Sequence, residues 1–583
     1  MAGIFGIIGD ISNAKILEST NNVLDYESSK SVNIDSGTYL GLTYLKFQES
    51  EIYTNNNLTV LLNGEFYSDK LNATNSTKEI FDLYMAYGDN FISMIDGIFN
   101  ICMYDKQNQI LKIFNDWAGN HNLFYYYSSS ENKFIFSTET KGILKIIKNK
   151  HFNYEAAITQ VMFSHILYDD TLVNEIKLLP PASILTYKNK ILTIESYYDL
   201  RNNYNIINEK NEKYLIDKLY DGFVQPTKKY LHKKKISLPL TGGMDSRFLL
   251  HILLENNYNL EDTFTGGDPD SDDVRIAQMI AKRYSISHRL ADVHEDYFKS
   301  KFYDNYYIHE GFLAPHRYGS GLELHYNRGI ENIIQFPNSN LTLGDLYTPN
   351  TKHFIGNLKL NDQIKNQIIS KFLKVEQSVL NILFIDYNKY TDGIISRLFD
   401  YFENLAEYPS IFIFDYFAWY QHSRRWSNLG GMNGKFIGRI APSQDRQLNE
   451  FIFNIPIEYK YWQYIHKKMF KTKCPNLAKL PREGTGVPIS WPEPVQMLFK
   501  AYRKNIYNRV VKNKNTNRIA NFYRDIVHEE IEALQCSSEL KDRGIFDPIY
   551  VKKLWDQHLK GKDNTYLIHN ILNIELFFRN YID

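Results

Sequence analysis

A chain of 583 residues exceeds what one ordinary core organises, so about two large domains, or about three of average size, are expected. The hydrophobic fraction of 43% and charged fraction of 23% are those of a packed globular protein and exclude wholesale disorder. Basic and acidic residues balance at 67 each, which excludes a global field for nucleic acid or an anionic membrane, and three cysteines without a Cys-x-x-Cys pair exclude a disulfide framework and a thiolate metal site.

No apolar run is long enough to cross a bilayer, and no basic segment with a hydrophobic signal core opens the chain, so a cytoplasmic protein is expected. Along the first two hundred residues, short apolar segments end in polar turns: Ile4 to Ile8, Leu58 to Leu62, Ile98 to Tyr104, Ile110 to Phe114, Phe134 to Ser137 and Ile184 to Tyr187. That rhythm predicts strands, and a helical stretch around Ile80 to Tyr87 makes an α+β layered domain the expectation. The polar segment Arg201 to Asn205 contains little to pack, which places the junction there and divides the chain into residues 1–200 and 201–583. From Ile236 the pattern becomes α/β: a strand to Leu240, a glycine turn from Thr241 to Ser246, a helix from Arg247 to Glu255, a strand ending near Phe264 and a helix from Asp273 to Tyr284. This alternation predicts a parallel sheet, whose ligands bind at the carboxyl ends of its strands. Beyond Asn350 helical spacing predominates, over Tyr401 to Arg424, Pro494 to Val511, Phe522 to Leu534 and Tyr550 to Leu559.

The turn carries the chemistry. Gly242 and Gly243 let the backbone turn sharply and approach a ligand without a Cβ in the way, and the succeeding helix adds its dipole and free amides to an anion site. Thr241 and Ser246 add hydroxyl donors. Asp245 would repel a phosphate directly, so its natural task is to hold a Mg²⁺ that bridges phosphates. The bland alternative is a capped strand-to-helix turn.

Thr241-Gly242-Gly243-Met244-Asp245-Ser246 resembles the Ser-Gly-Gly-x-Asp-Ser signature of the asparagine synthetase family, with Thr for the first Ser. Thr263 to Gly266, Ser271-Asp272-Asp273 and His288 resemble the segment after that family's second strand, and Gly544 to Asp547, His558 to Gly561 and Asn573 to Leu576 resemble its C-terminal helices. Met1 to Gly9, Asn63-Gly64-Glu65-Phe66-Tyr67, Asp96 to Phe99, Ser137 to Lys141 and Leu179-Pro180-Pro181 resemble its class II glutamine amidotransferase domain. The resemblance implies a layered, nucleophile-hydrolase-like α+β domain, then an α/β ATP-pyrophosphatase domain with a helical C-terminal part. It implies that ATP and Mg²⁺ are bound, with adenine and ribose on backbone near Pro239, Leu240, Thr265 and Gly266 and pyrophosphate on the 241–246 loop. A small-molecule or peptide carboxylate would be adenylated and an amine would capture it; a homodimer or a biosynthetic partner protein is compatible with the chain.

The chain departs from that family at several positions. Its amidotransferases use a Cys thiol at position 2 with the free α-amino group as base, and Ala2 has no nucleophilic atom. The Arg-Gly-Pro-Asp that supplies the glutamine-carboxylate Arg is missing, and the acidic residue for the glutamine amino group aligns with Thr77; Asn63 and Gly64 keep the oxyanion-stabilising pair. These changes favour a natural domain without glutaminase over an engineered Cys-to-Ala change. The acidic Ser-Gly-Glu-Gly-x-Asp-Glu loop is replaced by Phe336 to Asp345, with Asp345 as a displaced carboxylate, and the family's catalytic Lys falls near Arg482. Guanidinium would stabilise an adenylate but stays protonated and cannot serve as a base; the bland reading of Arg482-Glu483 is a surface ion pair. The leading expectation is an amide-forming ligase like the glutaminase-free β-lactam synthetases and lasso-peptide cyclases; asparagine synthesis with an engineered Ala2, and a non-catalytic nucleotide- or partner-binding descendant, are the alternatives. Substrate-selecting residues are expected between about Pro315 and Arg424. Isolated histidines such as His165 and His251 are assigned no role, no His or Cys pair has zinc spacing, and Mg²⁺ is the only metal implied.

Overall fold

A computed structural model of the protein describes residues 3–9, 28–35, 37–44, 52–68, 76–208, 211–231, 235–267, 269–291, 299–300, 302, 306–307, 310, 312, 331–336, 359–425, 438–503, 505, 518–525, 527–536 and 538–583. Ala2, Asp345 with the rest of 337–345, residues 315–330 and 337–358 of the substrate-selecting stretch, and Val511 lie outside the described residues.

Among the described residues twelve strands precede residue 200: β1 (Ile4–Ile8), β2 (Ser28–Asp35), β3 (Thr38–Tyr44), β4 (Tyr53–Thr54), β5 (Leu58–Tyr67), β6 (Asp96–Asp105), β7 (Ile110–Asn115), β8 (Phe124–Ser128), β9 (Lys133–Ser137), β10 (Ile176–Leu178), β11 (Ser183–Lys188) and β12 (Ile191–Ser196). They form two antiparallel sheets, in the orders β10-β8-β9-β1-β3-β2 and β12-β11-β7-β6-β5-β4. Each apolar segment expected to be a strand lies in one. The period of two decides what each face meets. Ile4, Leu40, Phe134 and Phe136 of the first sheet share a core with Leu61, Cys102, Ile113 and Leu185 of the second, so the sheets stack face to face. The other face of the second sheet, with Val60, Leu62, Ile101 and Met103, is covered by Ile80 and Leu83 of helix α1 (Thr77–Tyr87). The other face of the first, with Phe5, Ile7 and Ile135, packs against helices α2 (Thr140–Leu144) and α3 (Tyr154–Phe163). The result is a four-layer helix, sheet, sheet, helix arrangement, the α+β layering expected.

Helix α3 is buried from Ala156 to Phe163 because the carboxyl-terminal helices cover its outer side. Tyr154 stacks on Tyr390 at 5.3 Å, and Tyr566 Oη donates to the Val161 carbonyl at 2.8 Å. In the segment from Arg201 to Asn205, Asn202, Asn203 and Asn205 are exposed as expected, while half-buried Tyr204 packs with its ring centroid 4.3 Å from that of Phe412.

Helix α4 (Glu212–Tyr230) leads into the parallel sheet: β13 (Ile236–Pro239), helix α5 (Met244–Glu255), β14 (Leu260–Gly266), helix α6 (Asp272–Arg283), β15 (His288–Ala291), β16 (Asn332–Ile334) and β17 (Gly438–Ile440). The order is β15-β14-β13-β16-β17, all parallel. Successive strands run one way from β13 and then the other, so the order reverses at β13, and the Thr241–Ser246 loop leaves its carboxyl end at that crevice. The helix expected over Tyr401 to Arg424 is instead broken: one helix spans Tyr387–Glu403, and after Pro409 another runs over Ser410–Phe417 and continues as a wider turn to Ser423. Pro409, at the helix entrance, lacks the N–H that a continuous helix requires there. Phe522 to Leu534 likewise divides into Arg518–Asp525 and His528–Cys536, and the expected 494–511 helix spans Glu493–Tyr502 among the described residues. No helix among them is long and apolar enough to cross a membrane.

The seam between the layered sheets and the parallel sheet is well packed. Trp117 stacks on Trp419 with centroids 5.3 Å apart and planes 8° from parallel, and its Nε1 donates to the Gln444 carbonyl at 2.9 Å. Tyr67 stacks on Tyr230 at 4.2 Å. Between these contacts two buried carboxyls meet. Asp445 caps the helix Arg446–Asn454 by accepting from Leu448 N–H at 2.9 Å, and Asp96 accepts from Gly97 N–H at 2.8 Å and Arg446 N–H at 3.3 Å. Burial first, then the Asp445 charge, push the Asp96 carboxyl up to about 7, with Arg446 and Lys229 opposing; burial also raises Asp445. A carboxyl whose folded value is raised keeps its proton after the unfolded chain has lost it. Stability from this pair is therefore full below the ordinary carboxylate range and falls as pH rises towards about 7. We expect Tm to fall between pH 4 and 7 by an increment equivalent to about 1 kcal/mol per pH unit. Asp96→Asn should flatten that slope; an equal slope in the variant would remove the pair as its cause.

Candidate functional site

The loop after β13 is built by its own side chains. Thr241 N–H donates to Ser246 Oγ at 3.0 Å, Gly243 N–H donates to Thr241 Oγ1 at 3.1 Å, and the two hydroxyls lie 3.1 Å apart. Gly243 is the N-cap of α5 in an extended conformation and, having no side chain, makes no side-chain cap bond to that helix end. The Gly242 amide donates to Asp273 Oδ1 at 2.7 Å. Asp273 comes from the first turn of α6, so an anionic oxygen of the chain itself occupies the Gly242 amide. The Gly242 amide position therefore suits anionic oxygen. Burial raises the Asp273 carboxyl, and the Gly242 amide opposes that shift.

Gly242 has to be glycine for steric reasons: a Cβ there would lie 2.8 Å from Glu483 Cβ and 3.1 Å from Asp273 Oδ1. The crowding comes from a hairpin at 481–488, in which Arg482 N–H donates to the Val487 carbonyl and Glu483 N–H donates to the Gly242 carbonyl at 3.1 Å. Fully buried Arg247 fastens this hairpin to the loop, donating through Nη2 to the Gly242 carbonyl at 2.8 Å and to the Pro481 carbonyl, and through Nη1 to the Leu480 carbonyl at 3.4 Å.

Of the expected ligands, Thr241 to Ser246 and Arg482 fall around one place. Asp245 lies in the first turn of α5, with Oδ1 3.5 Å from His466 Nε2. Burial, then the Arg482 and Lys467 charges, push His466 down to about 3, so it is a neutral ring beside the Asp245 carboxylate at neutral pH. Burial and the Arg482 charge also lower Arg247 to about 10. The Arg482 guanidinium is thus within electrostatic reach of both groups behind the loop, and it forms no ion pair with Glu483 among the described residues. Leu240 N–H donates to the Phe264 carbonyl at 2.8 Å, and Thr265 Oγ1 donates to the Leu240 carbonyl at 2.6 Å while lying 3.3 Å from His288 Nε2. Thr265 therefore braces β13 through its side chain, while Gly266 is exposed at the end of β14 and Pro239 half-buried at the end of β13. Asp273, Arg247 and His466 were not among the expected site residues. No cluster of three or more His, Cys, Asp or Glu forms a metal site among the described residues. Mg²⁺ characteristically binds through one or two carboxylates and keeps its waters, a requirement Asp245 alone satisfies in type.

At the other expected site, Asn63 and Gly64 lie on β5 opposite Asn100 and Phe99. Asn63 is buried, and Gly64 holds φ +106°, where a Cβ would collide with the Ile98 carbonyl. Thr77 is buried at the first position of α1, behind the Ser76 cap. Cys102 and Cys474 are buried and unbridged, and burial raises both thiols.

Residues 43–198 match the glutamine amidotransferase domain family. The chain is 24% identical over 270 residues to the putative asparagine synthetase [glutamine-hydrolyzing] 2 of Methanocaldococcus jannaschii, covering 42% of this chain and 49% of that one. It is 22% identical over 242 residues to asparagine synthetase [glutamine-hydrolyzing] 1 of Bacillus subtilis, covering 40% of this chain and 37% of the relative. The matches thus span about half the length of these relatives or less. Among solved structures, the glutamine phosphoribosylpyrophosphate amidotransferase of B. subtilis complexed with ADP and GMP aligns with 50% of this chain and 65% of its own, at 11% identity and a TM-score of 0.25, a likeness too slight to bear on the fold. The chain thus contains a segment that matches the glutamine amidotransferase domain and is similar, over less than half of its length, to asparagine synthetases.

Proposed function

We propose that the protein is an ATP-dependent amide ligase that adenylates a carboxylate. The observation that carries this reading is the Thr241–Ser246 loop: a helix amino end with glycine at its N-cap, at the reversal of a parallel sheet, with an anionic oxygen already seated on the Gly242 amide. In this reading the loop amides and hydroxyls hold the β- and γ-phosphates of ATP. Asp245 would hold Mg²⁺, which supplies charge neutralisation on the leaving pyrophosphate. The substrate carboxylate oxygen attacks the α-phosphorus, the bond to the pyrophosphate oxygen breaks, and an acyl-adenylate forms. An amine then attacks the acyl carbon and AMP leaves with the electron pair, while the amine proton passes to solvent or substrate. Arg482 stabilises the negative charge of the adenylate as a fixed cation.

The amine would be free ammonia or a substrate amino group, because Ala2 carries no nucleophile. Isotope exchange between pyrophosphate and ATP, dependent on an added carboxylate, tests the reading. We expect exchange with a subset of amino-acid and peptide carboxylates and at least about a hundredfold loss in Asp245→Asn. Binding of ATP with Mg²⁺ but no exchange across a broad panel would make the protein a nucleotide-binding descendant instead.

A further inference from the structure

A polar cavity lies away from the loop, where the end of α3 meets the helical turn at 418–425. It offers a volume of about 30 Å³, is partly open to solvent, and is lined by Asn122, Phe124, Gln160, His165, Phe312 and Arg425. None of these residues belongs to the parallel sheet. The chain reaches it by a left-handed turn at Ser164 (φ +65°), which ends α3 and delivers His165 inward. Phe312 lies parallel to Phe124 at 6.3 Å and forms an aromatic wall.

Two groups in this cavity have hydrogen-bonding capacity that the protein does not use. His165 is 5% exposed, and neither of its ring nitrogens has a hydrogen-bond partner; the nearby Phe163 carbonyl makes no bond of ordinary geometry to it. Burial, then His422 and Arg425, hold this imidazole well below its ordinary value, so it is neutral with one N–H and one lone pair unspent. Arg425 is 8% exposed; Nε donates to the Ile166 carbonyl at 2.8 Å and Nη2 to the Asp170 carbonyl at 2.9 Å, which leaves Nη1 without a bond. Its charge has no carboxylate partner among the described residues. The neighbouring acids are engaged elsewhere: Asp169 with Arg424 at 2.9 Å, and Asp170 with Lys177 at 2.8 Å and Arg397 at 2.5 Å. Lys374 adds positive charge to the field at His165. A buried cation is costly unless paired, and an unbonded buried imidazole is costly as well.

We propose that this cavity is a binding site for a small organic monocarboxylate. The carboxylate would accept from Arg425 Nη1 and from a His165 N–H, beside the Gln160 and Asn122 amides, with a short apolar tail against Phe124 and Phe312. One fixed guanidinium, an imidazole that is neutral in the empty cavity, and the Phe124–Phe312 wall suit a small carboxylate with an apolar tail better than a phosphate. A bound carboxylate favours protonated imidazole, so binding takes up protons through His165. The site is independent of the adenylating loop and does not rest on the function proposed for it.

Calorimetry on the whole chain with acetate and propionate at pH 6.5, at constant ionic strength and in two buffers of different ionisation enthalpy, tests the site. We expect saturable binding with net proton uptake. Arg425→Gln should weaken it at least about tenfold, the value of a lost charged hydrogen bond, and His165→Asn should abolish the proton uptake. Because Arg425→Gln could also unfold the protein, Asn122→Asp gives a second arm: an internal carboxylate facing Arg425 should raise Tm and remove acetate binding. No saturable heat from either carboxylate, as for a cavity filled by water alone, would overturn the proposal. So would acetate affinity unchanged in folded Asn122→Asp, or proton uptake unchanged in His165→Asn.

Discussion

Arg247→Met is expected to lower the unfolding free energy by about 3 kcal/mol or more and, on the function proposed above, to weaken nucleotide binding beyond that loss of stability. The guanidinium is fully buried and donates to three carbonyls, those of Gly242, Leu480 and Pro481. Each buried acceptor deprived of a donor costs about 1–3 kcal/mol, and the apolar burial regained by Met offsets only part of the sum. The nearby Arg482 charge disfavours Arg247 and trims the loss, but burial is the larger opposing effect and Arg247 stays charged. Arg247 also joins the loop carrying Asp245 to the hairpin carrying Arg482, so its removal lets the two drift apart. Urea unfolding combined with equilibrium dialysis of ATP and Mg²⁺ measures both effects. Arg247→Lys should restore only part of each, since an ammonium cannot span three carbonyls in one plane. A stability loss under about 1 kcal/mol would mean the carbonyls find other donors.

The second large effect is at the seam. Trp117→Ala should cost about 3–5 kcal/mol, the usual range for truncating a buried Trp. Trp117 is 3% exposed and loses both its parallel stack on Trp419 and its hydrogen bond to Gln444. Trp117→Phe, which keeps an aromatic face but no N–H donor, should cost roughly 1–2 kcal/mol. Hydrogen exchange should quicken across 410–423 in the alanine variant more than in the amidotransferase sheets. Equal quickening in both would show that Trp117 stabilises one domain and not the seam.

Much of the fold was legible because short apolar runs end in polar turns. Ile101 and Met103 face a helix while Cys102 and Tyr104 face the opposed sheet, so both faces are buried and the strand reads in the sequence as an apolar run ending at Asp105. The loop was legible because two glycines come after an apolar strand and before a leucine-rich helix. The break before Ser410 was marked by Pro409, but the helical spacing that continues through the buried aromatics of Ser410–Phe417 hid it. The partners of the loop were equally hidden. Asp273 reaches Gly242 from 31 positions away, His466 meets Asp245 from another helix, and Trp117 bonds a carbonyl 327 positions away. Spacing carries no record of such contacts. Arg247 did leave a trace, as a charge three residues from Met244 on the apolar face of its helix. His165 left none, since an isolated histidine looks the same in sequence whether it is packed or waiting for a ligand.

If the loop binds phosphates as proposed, the Asp273 carboxylate on the Gly242 amide is a tethered competitor for them. An incoming anion must outbid a group whose effective concentration is set by the stiffness of α6, not by the solution around it. Weakly binding anions such as chloride gain little there, whereas a polyphosphate that engages the remaining amides and hydroxyls at once can displace it. The same contact that completes the empty loop thereby raises its threshold for occupancy, and sets that threshold according to how many points of attachment a ligand brings.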